Sequence, residues 1–137
     1  MEANLKRIEA FIKKHHVMSL ATSSDDEISV CNLFYAYKNS SFVVASSYDT
    51  THIKHILKNK KVAGSIVLET KIVGKIEGLQ FVGEADVLRD ETLKKAYFKA
   101  FAYAIALKPT LWKIRVDSFK LTDNKLGFGK KIIWKRV

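Results

Sequence analysis

ISVCNLFYAYKNSSFVVASSYDTTHIKHIL, residues Ile28 to Leu57, is the stretch that decides the fold. Its first ten residues alternate. Ile28, Val30, Asn32, Phe34 and Ala36 share one side of an extended chain, and Ser29, Cys31, Leu33, Tyr35 and Tyr37 share the other. KNSS, residues 38–41, has the composition of a hairpin turn, and Phe42 to Ser46 returns as a second strand. The period then changes. After SSYDTT, the residues Ile53, Ile56 and Leu57 recur at helical spacing. Asp49 or Thr50 can cap that helix with a side-chain oxygen. Strand, tight turn, strand, polar corner, helix is the grammar of an antiparallel sheet with helices attached to it.

The flanks extend the same pattern. Residues 2–15 read as a helix, with Leu5, Ile8, Phe11 and Ile12 on one side. Val17 to Thr22 is a short strand, and SSDDE, residues 23–27, turns the chain. Val62 to Glu69 is another strand. Lys75 to Leu88 is one long strand or two joined at a bend, with Gly78 and Gly83 marking a bulge or a close approach. Asp90 caps a helix that runs to about Ala106 and is ended by Pro109. Leu111 to Leu121 is a strand, TDN (122–124) a turn, and Gly127 to Trp134 the last strand. Six to eight strands and three helices make the class mainly β, of α+β type. So many antiparallel strands in one small chain must lose their edges, and closing into a barrel does so.

The chain has 137 residues, the length of a single domain spanning 1–137. Cys31 is the one cysteine, so no internal disulfide exists, and in an apolar strand it reads as a small core residue. No apolar run approaches the roughly 20 residues of a membrane helix. The start, MEANLKRIEAF, lacks the unbroken apolar region of a secretion signal, and the expected location is the cytoplasm. The formal net charge of +10 favours anionic partners. The lysines, however, are scattered in ones, twos and threes, as on a solvated surface. A nucleic-acid binder needs aromatics exposed on a basic face; here most aromatics fall on apolar stripes, and that reading ranks last.

Several segments resemble the split-barrel flavoproteins of the pyridoxamine-5′-phosphate-oxidase-like group, and within it the YhbP-like branch. CNLFYAY (31–37), SSYDTTHIK (46–54), GLQFVGEA (78–85) and LWKIRVDSFKLTDNKLGFGKKIIWKR (111–136) carry the resemblance, which covers the whole length. It implies an antiparallel split barrel that pairs as a homodimer, with FMN in two clefts between subunits and two-electron redox chemistry on a small-molecule substrate. Some members of the group bind haem, deazaflavin or nothing. The resemblance therefore implies an FMN-dependent oxidoreductase, with a non-catalytic flavin- or haem-binding module as the alternative.

Residue chemistry gives each implied contact a reason. A phosphate takes backbone N–H groups at a helix start, hydroxyls and a cation. Ser46, Ser47, Thr50 and Thr51 supply hydroxyls at the corner, and His52 or Lys54 can add charge. The group usually carries a basic residue where Thr51 stands and often a lysine where His52 stands. One lost charge-assisted hydrogen bond costs about 1.5–3 kcal/mol, so FMN binds weakly here or another anion takes its place. The amides of Asn32 and Gln80 suit the pyrimidine edge of a flavin, as do backbone groups near Leu33 and Phe34. LGFGKKIIWKR (126–136) lacks the spacing of a phosphate-binding Walker loop; its glycines bend the chain into the final strand. By the resemblance, Lys130, Lys131 and Trp134 border the cofactor cleft. His52-x-x-His55 has no further ligands in sequence to complete a metal site.

Overall fold

Among the described residues, 2–137 of a computed structural model, eight strands form one antiparallel sheet. They are β1 (Val17–Ser24), β2 (Glu27–Phe34), β3 (Ala36–Lys38), β4 (Ser41–Ala45), β5 (Lys61–Val67), β6 (Glu77–Val87), β7 (Leu111–Asp123) and β8 (Lys131–Lys135). Three helices flank them: α1 (Glu2–Lys14), α2 (Thr51–Lys58) and α3 (Glu91–Ala100). The sheet runs β2-β1-β5-β6-β7-β4-β3, and β8 adds to β7. The two ends of that path, β2 and β3, are consecutive in the chain and joined through Tyr35 alone. The sheet must therefore roll back on itself for the chain to pass from one edge to the other. This is an antiparallel split half-barrel with flanking helices.

The inner face of the roll is the core. Met18, Leu20, Ile66, Leu79, Phe81, Ile114, Phe119 and Leu121 are buried there. α1 adds Ile8, Phe11 and Ile12, and α2 adds Ile53 and Ile56. A smaller cluster lies under α3, where Leu93 and Tyr97 pack on Ala36, Val43 and Leu111. Polar ties fix the helices. Arg7 of α1 donates to Glu77 (2.5 Å) and to the buried Asp123 (2.7 Å). Burial pulls the Arg7 pKa down, but these two carboxylates outweigh it and raise it.

Three expectations need correction. The alternation across Ile28–Tyr37 does not persist. The strand breaks at Tyr35, whose N–H donates to the His16 carbonyl (3.0 Å), and both Tyr35 and Ala36 are buried. The helix after Asp90 stops at Ala100 and continues only as a 3-10 helix, Ala102–Leu107. The last strand starts at Lys131 rather than Gly127. Before it come a 3-10 turn, Asn124–Leu126, and two glycines with φ of 134° and 73°, a conformation that L side chains resist.

Candidate functional site

The apolar-looking side of β2 faces outward. Ile28, Val30 and Phe34 are 84%, 70% and 55% exposed. The strand register explains what surrounds them. Asn32 lies opposite Ser19, Ser19 opposite Ser65, Ser65 opposite Gln80, Gln80 opposite Lys120, and Lys120 opposite Ile133. These six residues form one row across six strands. The next row reads Val30, Ala21, Ala63, Val82, Ser118 and Lys135. Residues directly opposite one another point to the same side of a sheet. The outer face thus has a floor of small side chains, rimmed by valine, isoleucine and lysine, enclosing a cavity of about 540 Å³.

Asn32 and Gln80 sit in the same row, three strand spacings or about 14 Å apart. Ser19 Oγ donates to Asn32 Oδ1 (2.9 Å), which orients that amide. Phe34 reaches the edge of Phe101 at 5.7 Å between ring centroids. Leu33 turns to the other side and packs against the core. Nothing local in the sequence marks Ser19, Ser65 or Lys120 as members of this row; only the pairing of distant strands brings them in.

The corner before α2 is built from its own hydroxyls. Thr50 caps the helix: its Oγ1 accepts from the Ile53 N–H (3.4 Å) and donates to the Ser47 carbonyl (2.9 Å). Ser46 Oγ bonds His52 Nε2 (2.5 Å), and the Ser46 carbonyl accepts from the Trp112 indole (2.8 Å). Burial, then the neighbouring His55, lowers the His52 pKa, which favours the neutral ring. Ser47 and Thr51 are exposed, and the Thr51 and His52 N–H groups lie outside the helix's own ladder. The corner thus offers hydroxyls and backbone donors, and its one cation is Lys54, a turn further on.

His55, one turn on from His52, has different partners. It is buried, with Nδ1 on Thr22 Oγ1 (2.9 Å) and Nε2 on Glu27 Oε1 (2.8 Å), and it ties α2 to the β1–β2 hairpin. The HxxH spacing gave no hint of this tie. Among the described residues, no three His, Cys, Asp or Glu side chains converge as metal ligands would.

The C-terminal candidates lie elsewhere in the chain. Lys131 pairs with Thr122 at one end of β7, whereas the Ser46 N–H donates to the Thr110 carbonyl just before its other end. The separation is on the order of 35–40 Å of strand. Lys130 is exposed beside Lys131. Trp134 turns inward instead, onto Phe119 at 5.6 Å between centroids, with the Arg136 guanidinium over its ring. One chain therefore brings Asn32 and Gln80 to one face, the Ser46–His52 group to one end, and Lys130–Lys131 to the opposite end.

The profile of the family described as "Pyridoxamine 5′-phosphate oxidase" matches residues 5–122. The UPF0306 protein YhbP of Escherichia fergusonii is 36% identical over 137 residues, covering 96% of this chain and 93% of that protein. Among solved structures, the fold is similar to that of a heme binding protein from Mycobacterium smegmatis, with a TM-score of 0.75 and 16% identity. That likeness covers 90% of this chain and 54% of the other, so the chain spans about half the length of that protein. It is also similar to a FAD-binding protein from Mesorhizobium loti, with a TM-score of 0.72 and 14% identity, covering 85% and 90%.

Proposed function

This chain belongs to the pyridoxamine 5′-phosphate oxidase family, in its UPF0306/YhbP-like branch, and from that membership we propose an oxidoreductase that binds FMN between two copies of itself. The observation that carries the reading is the outer sheet face. A row containing two amides runs beside a row whose first four members, Val30, Ala21, Ala63 and Val82, are apolar, open to solvent in the single chain. Exposed contiguous apolar surface of this kind marks a ligand or a partner. A flat aromatic ring fits a floor of Ser19, Ala21, Ala63 and Ser65, where no long side chain intrudes.

Asn32 or Gln80 would hold the polar edge of the ring, each able to donate and accept. Ser47, Thr51 and the first N–H groups of α2 would hold the phosphate, with Lys54 adding charge. FMN, when bound, supplies two-electron redox chemistry. Val30, Val82 and Ile133 would exclude water from the face once a second copy covers it. The separation of Lys130 and Lys131 from the Ser46–His52 corner supports a paired arrangement, because one chain cannot bring both to one ligand. The four histidines favour flavin over haem on this face: His15 and His16 follow α1, His52 is at the corner and His55 is buried.

The test is titration of the purified protein with FMN, followed by flavin absorbance and fluorescence, with sedimentation run in parallel. The expected result is one FMN per chain in a dimer, bleached by a nicotinamide donor in the absence of air. Protein that takes up no flavin at tens of micromolar FMN would overturn the reading.

A further inference from the structure

A second large cavity, about 840 Å³, opens between the end of α1, β3 and α3. It shares no lining residue with the outer face of the sheet or with the Ser46–His52 corner. Its charged lining is of one sign: Lys13, Lys38, Lys95 and Lys99, joined by His15 and His16. No acidic side chain lines it. Among the described residues, none of these four lysines is ion-paired with a carboxylate. Elsewhere Lys58, Lys60 and Lys125 each have such a partner.

The arrangement works against the helix that carries it. Thr92, Lys95, Ala96 and Lys99 all line the groove and share one side of α3. Lys95 and Lys99 are four apart, the spacing at which like charges repel on a helix surface. Lys13 and Lys38 approach from two other elements. Two groups beside the groove that could have opposed this charge are already engaged. Tyr37 Oη donates to Glu9 Oε2 (2.6 Å), holding that carboxylate. The Ile12 carbonyl accepts from Tyr35 Oη (2.6 Å) and from the His15 N–H (3.3 Å). The tyrosines therefore present ring surface to the groove rather than free hydroxyls.

We propose that this groove is a second ligand site, separate from the flavin site, for an anion carrying two or more linked phosphates. Several lysines set around one cavity match a chain of phosphates better than a single one, because each phosphate gains its own charge-assisted contact. Such a chain is shared by inorganic polyphosphates and nucleoside di- and triphosphates. The site holds whichever supplies it, and the test separates the two sources.

The experiment is calorimetric titration of the full chain with inorganic tripolyphosphate at low salt, then with ADP. One saturable site per chain is expected. In the K95E/K99E variant, affinity falls by about thirtyfold or more, since each charge-assisted contact is worth roughly tenfold or more. A K71E/K75E variant makes the same change in net charge on another part of the surface and shifts affinity less than about threefold. FMN uptake by K95E/K99E stays at the wild-type level, which separates failure here from failure of the flavin reading. ADP binding tighter than tripolyphosphate assigns the site to nucleotides, and the reverse order assigns it to free polyphosphate. Equal weakening in both variants would reduce the effect to net charge and overturn the proposal. So would non-saturable binding, loss of FMN uptake in K95E/K99E, or capture of a single-stranded RNA oligomer in preference to either probe.

Discussion

At the scale of single residues, two side chains matter for different reasons. Among the described residues, Arg7 is the one basic side chain hydrogen-bonded to Asp123, a carboxylate only 2% exposed. Removing it leaves Asp123 and most of Glu77 as buried charge without its main partner. Losing one member of such a pair costs about 3–5 kcal/mol when both are buried. Arg7 is one-third exposed, so R7A should cost about 3 kcal/mol by urea denaturation. The pH dependence has a definite sign. Burial pushes the Asp123 pKa up, but the Lys125 N–H, Arg7 and the Lys125 charge together bring it below its ordinary 3.8. A depressed carboxylate contributes stability that is complete above its unfolded pKa and is lost as pH falls through the native one. Wild-type stability should therefore drop below about pH 4, and R7A should show a shallower drop there. Thr51 is the second such residue. It is exposed at the start of α2, where the flavin reading lacks a cation. T51R should tighten FMN binding by about tenfold through one charge-assisted contact, measured by flavin fluorescence. Unchanged affinity would place the phosphate somewhere other than this corner.

At the scale of elements, β6 and β7 show where a single residue type is required. Their register shifts between Val82 and Gly83. A Cβ on Gly83 would lie 2.2 Å from the Arg115 carbonyl oxygen, whereas one on Gly78, in the same strand, meets nothing within 4 Å. G83A should cost about 2–3 kcal/mol, while G78A stays within about 0.5 kcal/mol. Equal thermal shifts for the two variants would sink the close-approach explanation. The sequence marks both Gly78 and Gly83 as a bulge or a close approach; Gly83 is one, whereas Gly78 has open space around it and lies in regular register, so glycine in a strand does not by itself single out the crowded position. The helices and strands were legible too, since each buries one face and its period shows. Which face of β2 would be buried was not. Ile28, Val30 and Phe34 look like a core stripe, and only the pairing of β2 with β1 and of β1 with β5 turns them outward. The row through Ser19, Ser65, Gln80 and Lys120 was hidden for the same reason: it is a property of pairings between distant strands, and no local window contains it. The His55 tie to Thr22 and Glu27 likewise joins residues about 30 positions apart.

At the scale of the whole molecule, the question is what covers the outer face. Val30, Val82 and Ile133 are 70%, 47% and 47% exposed, and Ile28 is 84% exposed beside them. In the single chain each of these side chains is about half exposed or more, so a charge there should cost less than about 1 kcal/mol of folding stability. In a pair of chains meeting on this face, the same charge would lie in a desolvated interface, where an unpaired ion costs several kcal/mol. V30E/V82E separates the two cases. If two copies close over this face, wild-type protein sediments as a dimer at tens of micromolar. The variant then sediments as a monomer, its thermal midpoint lower only by the stabilisation that pairing supplied, and it loses FMN affinity in step with the dimer. A variant that stays dimeric would move the interface to another surface. A monomeric wild type that still binds FMN would show that one chain is enough, and the distance between Lys130–Lys131 and the Ser46–His52 corner would then exclude the C-terminal lysines from the cofactor's contacts.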